Sequence, residues 1–381
     1  METQFVGSQK YPLELAHLIQ GDGEIVASGV GKGIGLEAVA GAYYEALERY
    51  YISAPTNSRH FPGEAALKKA KDVARQPALA NDLAIQRWAA EFPESITGCT
   101  TYGNARSSAW YPIFMCDPLY HHKPLPGDNI ETFRSMLRYT SSLGTASGAT
   151  PQEARLHGIC ELIEHDAISH ALLRWFIARM PQIDILDTAN ITDRIRLLHD
   201  IATETAGGEV FLLDVTTDLG IPAYLAVSVC GMESGLLGAG ASLTGEHAVA
   251  RALNELIQVM VLGNGVVTSA ARARLATWPF LQRCLTLPLA TLNTRDVKQV
   301  PLRPAIGNVK TLESSLDTIT SILSQHDIHS YDRELAPPNS AISVISTIAP
   351  GLERFSLVRM GIPVIPTGRG WGVWATYRSR R

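Results

Sequence analysis

A chain of 381 residues, 46% hydrophobic and 18% charged, can bury a large core and is no disordered segment. Its net charge of −4 argues against broad electrostatic capture of nucleic acid, and no apolar run reaches the roughly 20 residues that a membrane span needs. Five scattered cysteines, Cys99, Cys116, Cys160, Cys230 and Cys284, form no C-x-x-C pair. They favour neither a zinc knuckle nor a disulfide framework, and the start, Met1 to Gln4, lacks a signal peptide's basic and apolar parts; the expected compartment is a reducing cytoplasm.

A glycine-rich approach at 28–35 leads into a stretch of good helix formers without proline, which predicts a helix over 36–51. Residues 52–110 read as helices and loops, with turn signals at Pro55, Pro62 and Pro93. Residues 110–115 read as a short buried strand. A loop follows over 121–128, in which His121 and His122, as adjacent residues, point apart and make no metal pair. A second glycine and serine approach, 141–148, precedes a helix predicted from Pro151 or Gln152 to Met180, with proline suited to the first helical position. Strands are predicted over 210–216 and 223–229, broken by Gly220 and Pro222 and joined as a hairpin. A third approach, 238–241, leads into a third helix, and 341–348 reads as another strand. The repeated pattern predicts a mixed α/β (α+β) fold of three related glycine-approach/helix subdomains that share one sheet. No linker interrupts the chain, so 1–381 is expected to be one domain, with motif regions at 28–51, 141–180 and 247–260.

The helices carry a repeated acidic word. Glu45-Ala46-Leu47-Glu48-Arg49 and Glu161-Leu162-Ile163-Glu164-His165 both read E-x-x-E followed by a nitrogen base. Glu37-Ala38 stands eight residues before Glu45, and Glu153-Ala154 eight before Glu161. A weaker copy follows, Arg251-Ala252-Leu253-Asn254-Glu255-Leu256-Ile257-Gln258. Carboxylates three apart share a helix face and repel each other, so a helix gains from such pairs only if a cation lies between them. At about 100° per residue, Glu153, His157, Glu161 and Glu164 fall within roughly 80° of arc, with Leu156, Ile159, Cys160, Ile163 and Ala167 on the adjoining face. Three such elements predict a shared polar centre that holds divalent metal.

These residues resemble the YcaO family, ATP-dependent enzymes that activate peptide backbone amides. The resemblance covers nearly the whole chain: the segment from Ser28 to Arg49, the segment from Gly144 to Ala167, Asp214-Val215-Thr216-Thr217-Asp218-Leu219-Gly220-Ile221-Pro222, the Arg251 to Gln258 motif, and Pro350-Gly351-Leu352-Glu353. It implies a YcaO-like fold around an acidic nucleotide site. Glu45, Glu48, Glu153, Glu161 and Glu164 would line that site, most of them acting through Mg2+. Arg49, Arg251 and Glu255 would contact nucleotide or phosphate. Lys32 would reach phosphate, Gln258 would hold the last polar position of the third motif, and His165 is divided evenly between a phosphate contact and a structural hydrogen bond. No residue is assigned as catalytic acid, base or nucleophile. Family members phosphorylate an amide oxygen after a nucleophile adds to its carbon, and loss of phosphate leaves an azoline, a thioamide or an amidine. Residues 31–33, Gly-Lys-Gly, are no Walker loop, since neither the G-x-x-x-x-G spacing nor a following Ser or Thr is present.

The chain departs from the family at Ala149, usually asparagine, at His165, usually arginine, and at Gly41, often serine. It ends Thr376-Tyr377-Arg378-Ser379-Arg380-Arg381 instead of in a proline-rich tail, which counts against azoline formation. Few residues precede the first motif, so no separate leader-binding domain is expected. The reading is an ATP- and Mg2+-dependent enzyme acting on a ribosomally made peptide or a protein, with azole or azoline formation placed ahead of thioamidation. The expected partners are that precursor, a protein that delivers substrate or sulfur, and optionally a second copy of the chain, with no nucleic acid and no membrane. The alternative is a degenerate scaffold that binds a precursor peptide or partner protein without turning over ATP. Structural roles are expected for His157, Cys160, Asp214 and Asp218, and a solvated tail for 378–381.

Overall fold

The computed structural model describes residues 2–8, 11–19, 23–33, 35–53, 65–180, 182–228, 236–263, 267–288, 297–307, 309–337 and 340–379. Its strands and longer helices run β1 (Glu2–Ser8), β2 (Tyr11–Ile19), β3 (Ile25–Gly31), α1 (Leu36–Ser53), β4 (Ala65–Lys69), α2 (Leu83–Glu91), β5 (Ile96–Gly103), β6 (Ser108–Pro112) and β7 (Thr145–Gly148). The chain continues through α3 (Pro151–Leu172), β8 (Ile183–Leu186), α4 (Asp193–Ala206), β9 (Val210–Asp214), β10 (Ala223–Ser228), β11 (Leu237–Ala241) and α5 (Gly245–Leu262). It closes with β12 (Val297–Val300), α6 (Leu312–Gln325), β13 (Tyr331–Glu334), β14 (Ser343–Ile348) and α7 (Trp371–Ser379).

The strands form three sheets, of order β1-β2-β3, β11-β10-β9-β8-β12 and β4-β5-β13-β14-β7, the last with β6 on β5. Among described residues every pairing is antiparallel except β12 with β8. The expectation of one shared sheet is therefore corrected. The three glycine approaches contribute β3, β7 and β11, each in its own sheet. Each of these strands pairs with a neighbour there, β2, β14 or β10, and takes its own following helix on its face.

Glycine weakens a strand, which hid these three from a propensity reading. The helices explain it. A Cβ on Gly31 would overlap the Ala38 carbonyl oxygen of α1, and one on Gly238 would overlap the Ala252 carbonyl oxygen of α5. Backbone rests directly on backbone, and α1 supplies the matching small face with Ala38, Ala42 and Ala46, all fully buried. On α5 the buried face is Ala248, Val249, Ala252, Leu253, Leu256 and Ile257; each large aliphatic side chain there contributes about 1.5–3 kcal/mol relative to exposure.

Most elements lie where the periodicity puts them. The first helix extends two residues past 51. α3 begins at Pro151 with Thr150 as its cap, whose hydroxyl accepts the Glu153 N–H at 3.2 Å. It is α-helical to Leu172 and then widens into a π turn over Leu173–Ile177, where Ala178 N–H donates to the Leu173 carbonyl at 2.8 Å and Trp175 and Phe176 are buried. β9 and β10 pair as the expected hairpin, and β14 occupies 343–348 of the predicted 341–348. The strand expected over 110–115 is corrected: β6 stops at Pro112, which starts a helical turn over Ile113–Cys116. His121 and His122 also depart from expectation, since their rings lie 3.9 Å apart on a 3-10 turn. No described helix is long and apolar enough to cross a membrane.

Cys99, Cys116, Cys160 and Cys284 are free thiols, and Cys160 sits on the buried face of α3 as expected; Cys230 lies outside the described residues. Burial pushes the Cys160 thiol up to about 11. Blocking thiols after denaturation without reductant is therefore expected to modify all five cysteines by mass spectrometry. A mass showing two of them withheld as a disulfide would contradict this.

Candidate active site

Each of the three glutamate words ties its helix to a strand. Val30 N–H donates to Glu45 Oε2 at 3.0 Å, Gly144 N–H to Glu161 Oε2 at 3.0 Å, and Ala239 N–H to Glu255 Oε2 at 2.9 Å. The side chain three residues on reaches the next unit. Ser147 N–H donates to Glu48 Oε2 at 3.2 Å, Glu164 packs against β11 where the Ala241 N–H favours its charged form, and Gln258 Nε2 donates to the Val30 carbonyl at 3.3 Å. Thus α1 is tied to β7, α3 to β11, and α5 back to β3, which closes a ring. A helix therefore does gain from E-x-x-E without a cation. Glu45, Glu48 and Glu255 each satisfy a strand N–H, and Glu161 the Gly144 N–H just before β7, donors that would otherwise lack a partner.

The ring draws charge inward. Burial pushes the Glu48 carboxyl up to about 8, helped by Glu161 and then Glu45, against the Ser147 bond and Arg49. Burial and then Glu255 raise Glu164 to about 7, against Arg251, Lys32 and the Ala241 N–H. Glu161 is raised by burial as well. Burial opposes the Arg251 charge, but Glu164, Cys160, Glu255 and Glu161 outweigh it. Arg251 Nη2 lies 3.9 Å from Glu164 Oε2, which is sealed from solvent and has no hydrogen-bond partner. Glu48 thus feels Glu161, Arg251 feels Glu161, Glu164 and Glu255, and Lys32 reaches Glu164, a chain of charges on three helices and one strand end.

The remaining expected residues are placed differently. Glu153 sits at the start of α3, where its Oε2 accepts the Ala149 N–H at 2.9 Å. Arg49 pairs with Glu45 one turn back and donates to the Ser28 carbonyl at 3.1 Å, on the exposed side of α1. His165 turns toward Ser356, with Nδ1 3.0 Å from its hydroxyl. Burial lowers the His165 pKa, outweighing the Glu161 and Glu255 carboxylates that raise it. The lowered pKa favours the neutral imidazole.

Oxygen-only donors suit magnesium, and most of the carboxylates have one oxygen on a backbone N–H and a second for a ligand. Among the described residues no three His, Cys, Asp or Glu groups stand close enough to hold a metal as placed. The orphaned Glu164 Oε2 and the carboxyl groups of Glu48 and Glu164, held protonated near neutrality, are what a cation would satisfy.

Those raised carboxyls set a pH dependence. Glu48 and Glu164 keep protons in the fold that the unfolded chain releases near 4.5. The stability they lend is full below that value and is lost as pH rises through about 7 and 8. The melting temperature in chelator is expected to fall between pH 6.5 and 8.5, and Glu48→Gln to flatten most of that fall. A wild-type melting temperature that is level or rises over that window would contradict the assignment.

Sequence reasoning passed over one polar hub beside the site. Glu353, only 1% exposed, accepts five backbone N–H groups, from Arg354, Phe355, Thr367, Gly368 and Gly370, at 2.9–3.0 Å. Its motif, Pro350 to Glu353, was visible, but nothing local shows that three of the donors come from 367–370. Asp214 and Asp218 hold Arg303 and Arg369 in ion pairs, the structural roles expected of them.

A family model described as YcaO cyclodehydratase, ATP- and Mg2+-binding, matches residues 30–353. An uncharacterized protein in the tfuA 3' region of Rhizobium leguminosarum bv. trifolii is 30% identical over 253 residues, 60% of this chain and 57% of that protein. An uncharacterized protein of Methanothermobacter thermautotrophicus is 28% identical over 256 residues, 63% of this chain and 61% of that protein. The chain thus matches about three fifths of the length of these curated relatives. Among solved structures, YcaO from Methanopyrus kandleri bound with AMPPCP and Mg2+ superposes with TM-score 0.65 at 18% identity, covering 96% of this chain and 89% of that one. A heterocyclase in complex with substrate and cofactor gives 0.64 at 19%, covering 92% and 50%. The E. coli microcin synthetase McbBCD complex gives 0.58 at 14%, covering 92% and 88%.

Proposed function

This chain belongs to the YcaO family, whose domain binds ATP and Mg2+, and we propose that it acts as one domain that uses them to activate a backbone amide oxygen of a peptide or protein. The observation that carries this is the inward cluster of Glu48, Glu161, Glu164 and Glu255 around Arg251 and Lys32, built from three helices. Magnesium, when bound, neutralises phosphate charge and fixes its position. Glu48, Glu161 and Glu164 would hold the ion through the oxygens not engaged by backbone. Arg251 and Lys32 would meet phosphate oxygens, the charge pairing that phosphoryl transfer needs from a protein. Glu45 and Glu255 would position their helices and so keep the cluster in register, while Glu153 would reach the ion from the start of α3. Arg49 and Gln258 would border the nucleotide.

In the balanced reaction a nucleophile adds to the amide carbon and the amide oxygen takes the γ-phosphoryl group, releasing ADP. The C–O bond then breaks, so that oxygen leaves as inorganic phosphate; an internal thiol or hydroxyl gives up its proton together with the amide N–H proton to leave C=N, whereas sulfide gives up its own protons to leave C=S with the amide N–H kept. An internal thiol or hydroxyl gives an azoline and a sulfide donor a thioamide; we place the azoline first. A partner protein would deliver the peptide or the sulfur: relatives of this fold include a complex named McbBCD and a heterocyclase with substrate. Incubation with a precursor peptide, ATP and Mg2+ tests the reading by mass. Loss of one water per site supports the azoline, exchange of oxygen for sulfur the thioamide, and an unchanged peptide with no ADP formed contradicts both.

One observation favours a second reading, a scaffold that binds peptide without ATP turnover. Where the family usually carries arginine, His165 favours its neutral form and is engaged with Ser356. Under that reading the protein captures precursor yet binds no ATP.

A further inference from the structure

A cavity of about 360 Å³ opens between α3, the start of α5 and the start of α6. It is lined by Arg251, His157, His247, Lys310, Thr244 and Thr311, above an apolar floor that includes Leu243 and Val309. Among its described lining no carboxylate occurs, although the acidic cluster lies one helical turn away on α3 and α5. Every polar group there can donate a hydrogen bond. Arg251, its side chain 30% exposed, lines this space with its guanidinium 3.9 Å from Glu164, a cation that an anion there would meet. Thr244 and Thr311 cap α5 and α6, so two helix starts add positive field to the same space.

We infer that this cavity is an oxyanion seat on the acceptor side of the phosphoryl-transfer site, entered from the acidic cluster past Arg251. The inference rests on the function proposed above. Glu164 and Arg251 form the seam. On one side, carboxylates suit a metal-bound polyphosphate; on the other, donors alone suit an anion that carries no metal. Two sources supply such an anion: the inorganic phosphate formed when the C–O bond breaks, and a carboxylate of the acceptor peptide. The volume far exceeds the roughly 10–15 Å³ of such space that one water needs, enough for an oxyanion and part of the group that bears it.

The test is calorimetric titration of inorganic phosphate into the full chain, with and without saturating Mg2+-ADP. Phosphate is expected to bind in both states. The double variant His247→Ala/Lys310→Ala should weaken phosphate about tenfold or more while leaving ADP affinity unchanged. Displacement of phosphate by N-acetylglycine at similar concentration would assign the seat to a peptide carboxylate; no displacement would assign it to the released phosphate. No phosphate binding in either state, or equal binding by wild type and double variant, overturns the inference. Failure of ADP to bind while phosphate still binds His247 and Lys310 would overturn the nucleotide reading alone.

Discussion

Glu161→Gln is expected to reduce Mg2+-dependent ATP turnover by about 10²-fold or more while the melting temperature stays level or rises. The two effects have separate causes. Glutamine keeps an oxygen for the Gly144 N–H, so the tie between α3 and the start of β7 survives. What it removes is a buried charge that raises Glu48 and is itself raised by burial. Relief of that repulsion favours the fold, and loss of a metal ligand disfavours the chemistry. Phosphate release and a thermal scan on one preparation separate them. Wild-type turnover would refute the metal role, and a collapsed melting temperature would make Glu161 mainly a structural tie.

Glu353→Ala is expected to act in the opposite way, through the fold. Five backbone donors at 2.9–3.0 Å would lose their acceptor in a site 1% exposed. Buried unpaired donors cost about 1–3 kcal/mol each, so the loss should exceed about 4 kcal/mol, among the largest single-residue effects. The segment 367–370 would detach from Glu353, and with it the ion pairs of Arg369 to Asp166 and Asp218. Denaturant unfolding measures this. A midpoint close to wild type would show that water or another group takes over the five donors.

Much of this architecture was legible in periodicity. The helices starting at Leu36 and Pro151, the hairpin of β9 and β10 and the strand ending at Ile348 follow from local pattern and turn residues, which do not depend on distant partners. The family follows from motif order. The sheet arrangement does not, because β3, β7 and β11 are rich in glycine and small residues. Their strand character comes from the helix laid against each of them, which local propensity does not contain. The same limit governs the site. The three-residue spacing within Glu45-x-x-Glu48 and Glu161-x-x-Glu164 announced a shared centre. It did not announce that one carboxylate of each pair faces its own strand and the other the next. The spacing also concealed that Glu255 and Gln258 complete the ring, since an amide replaces the last carboxylate. For His165, sequence shows carboxylate neighbours but not the burial that outweighs them, nor Ser356, 191 residues away. Glu353 shows the extreme case, a short motif with three of its five donors 14 to 17 residues later.

The most direct measurement of the central claim is ATP binding by titration calorimetry, run with Mg2+ and again in chelator, on wild type and on Glu164→Gln. Glu164 is chosen because its Oε2 is buried without a partner and faces Arg251. The account predicts micromolar to millimolar affinity that requires Mg2+ and is lost with Glu164→Gln, with both proteins folded. ATP binding that is absent from folded wild type, or that is equal in chelator and in the variant, would contradict a three-helix carboxylate site for magnesium and nucleotide.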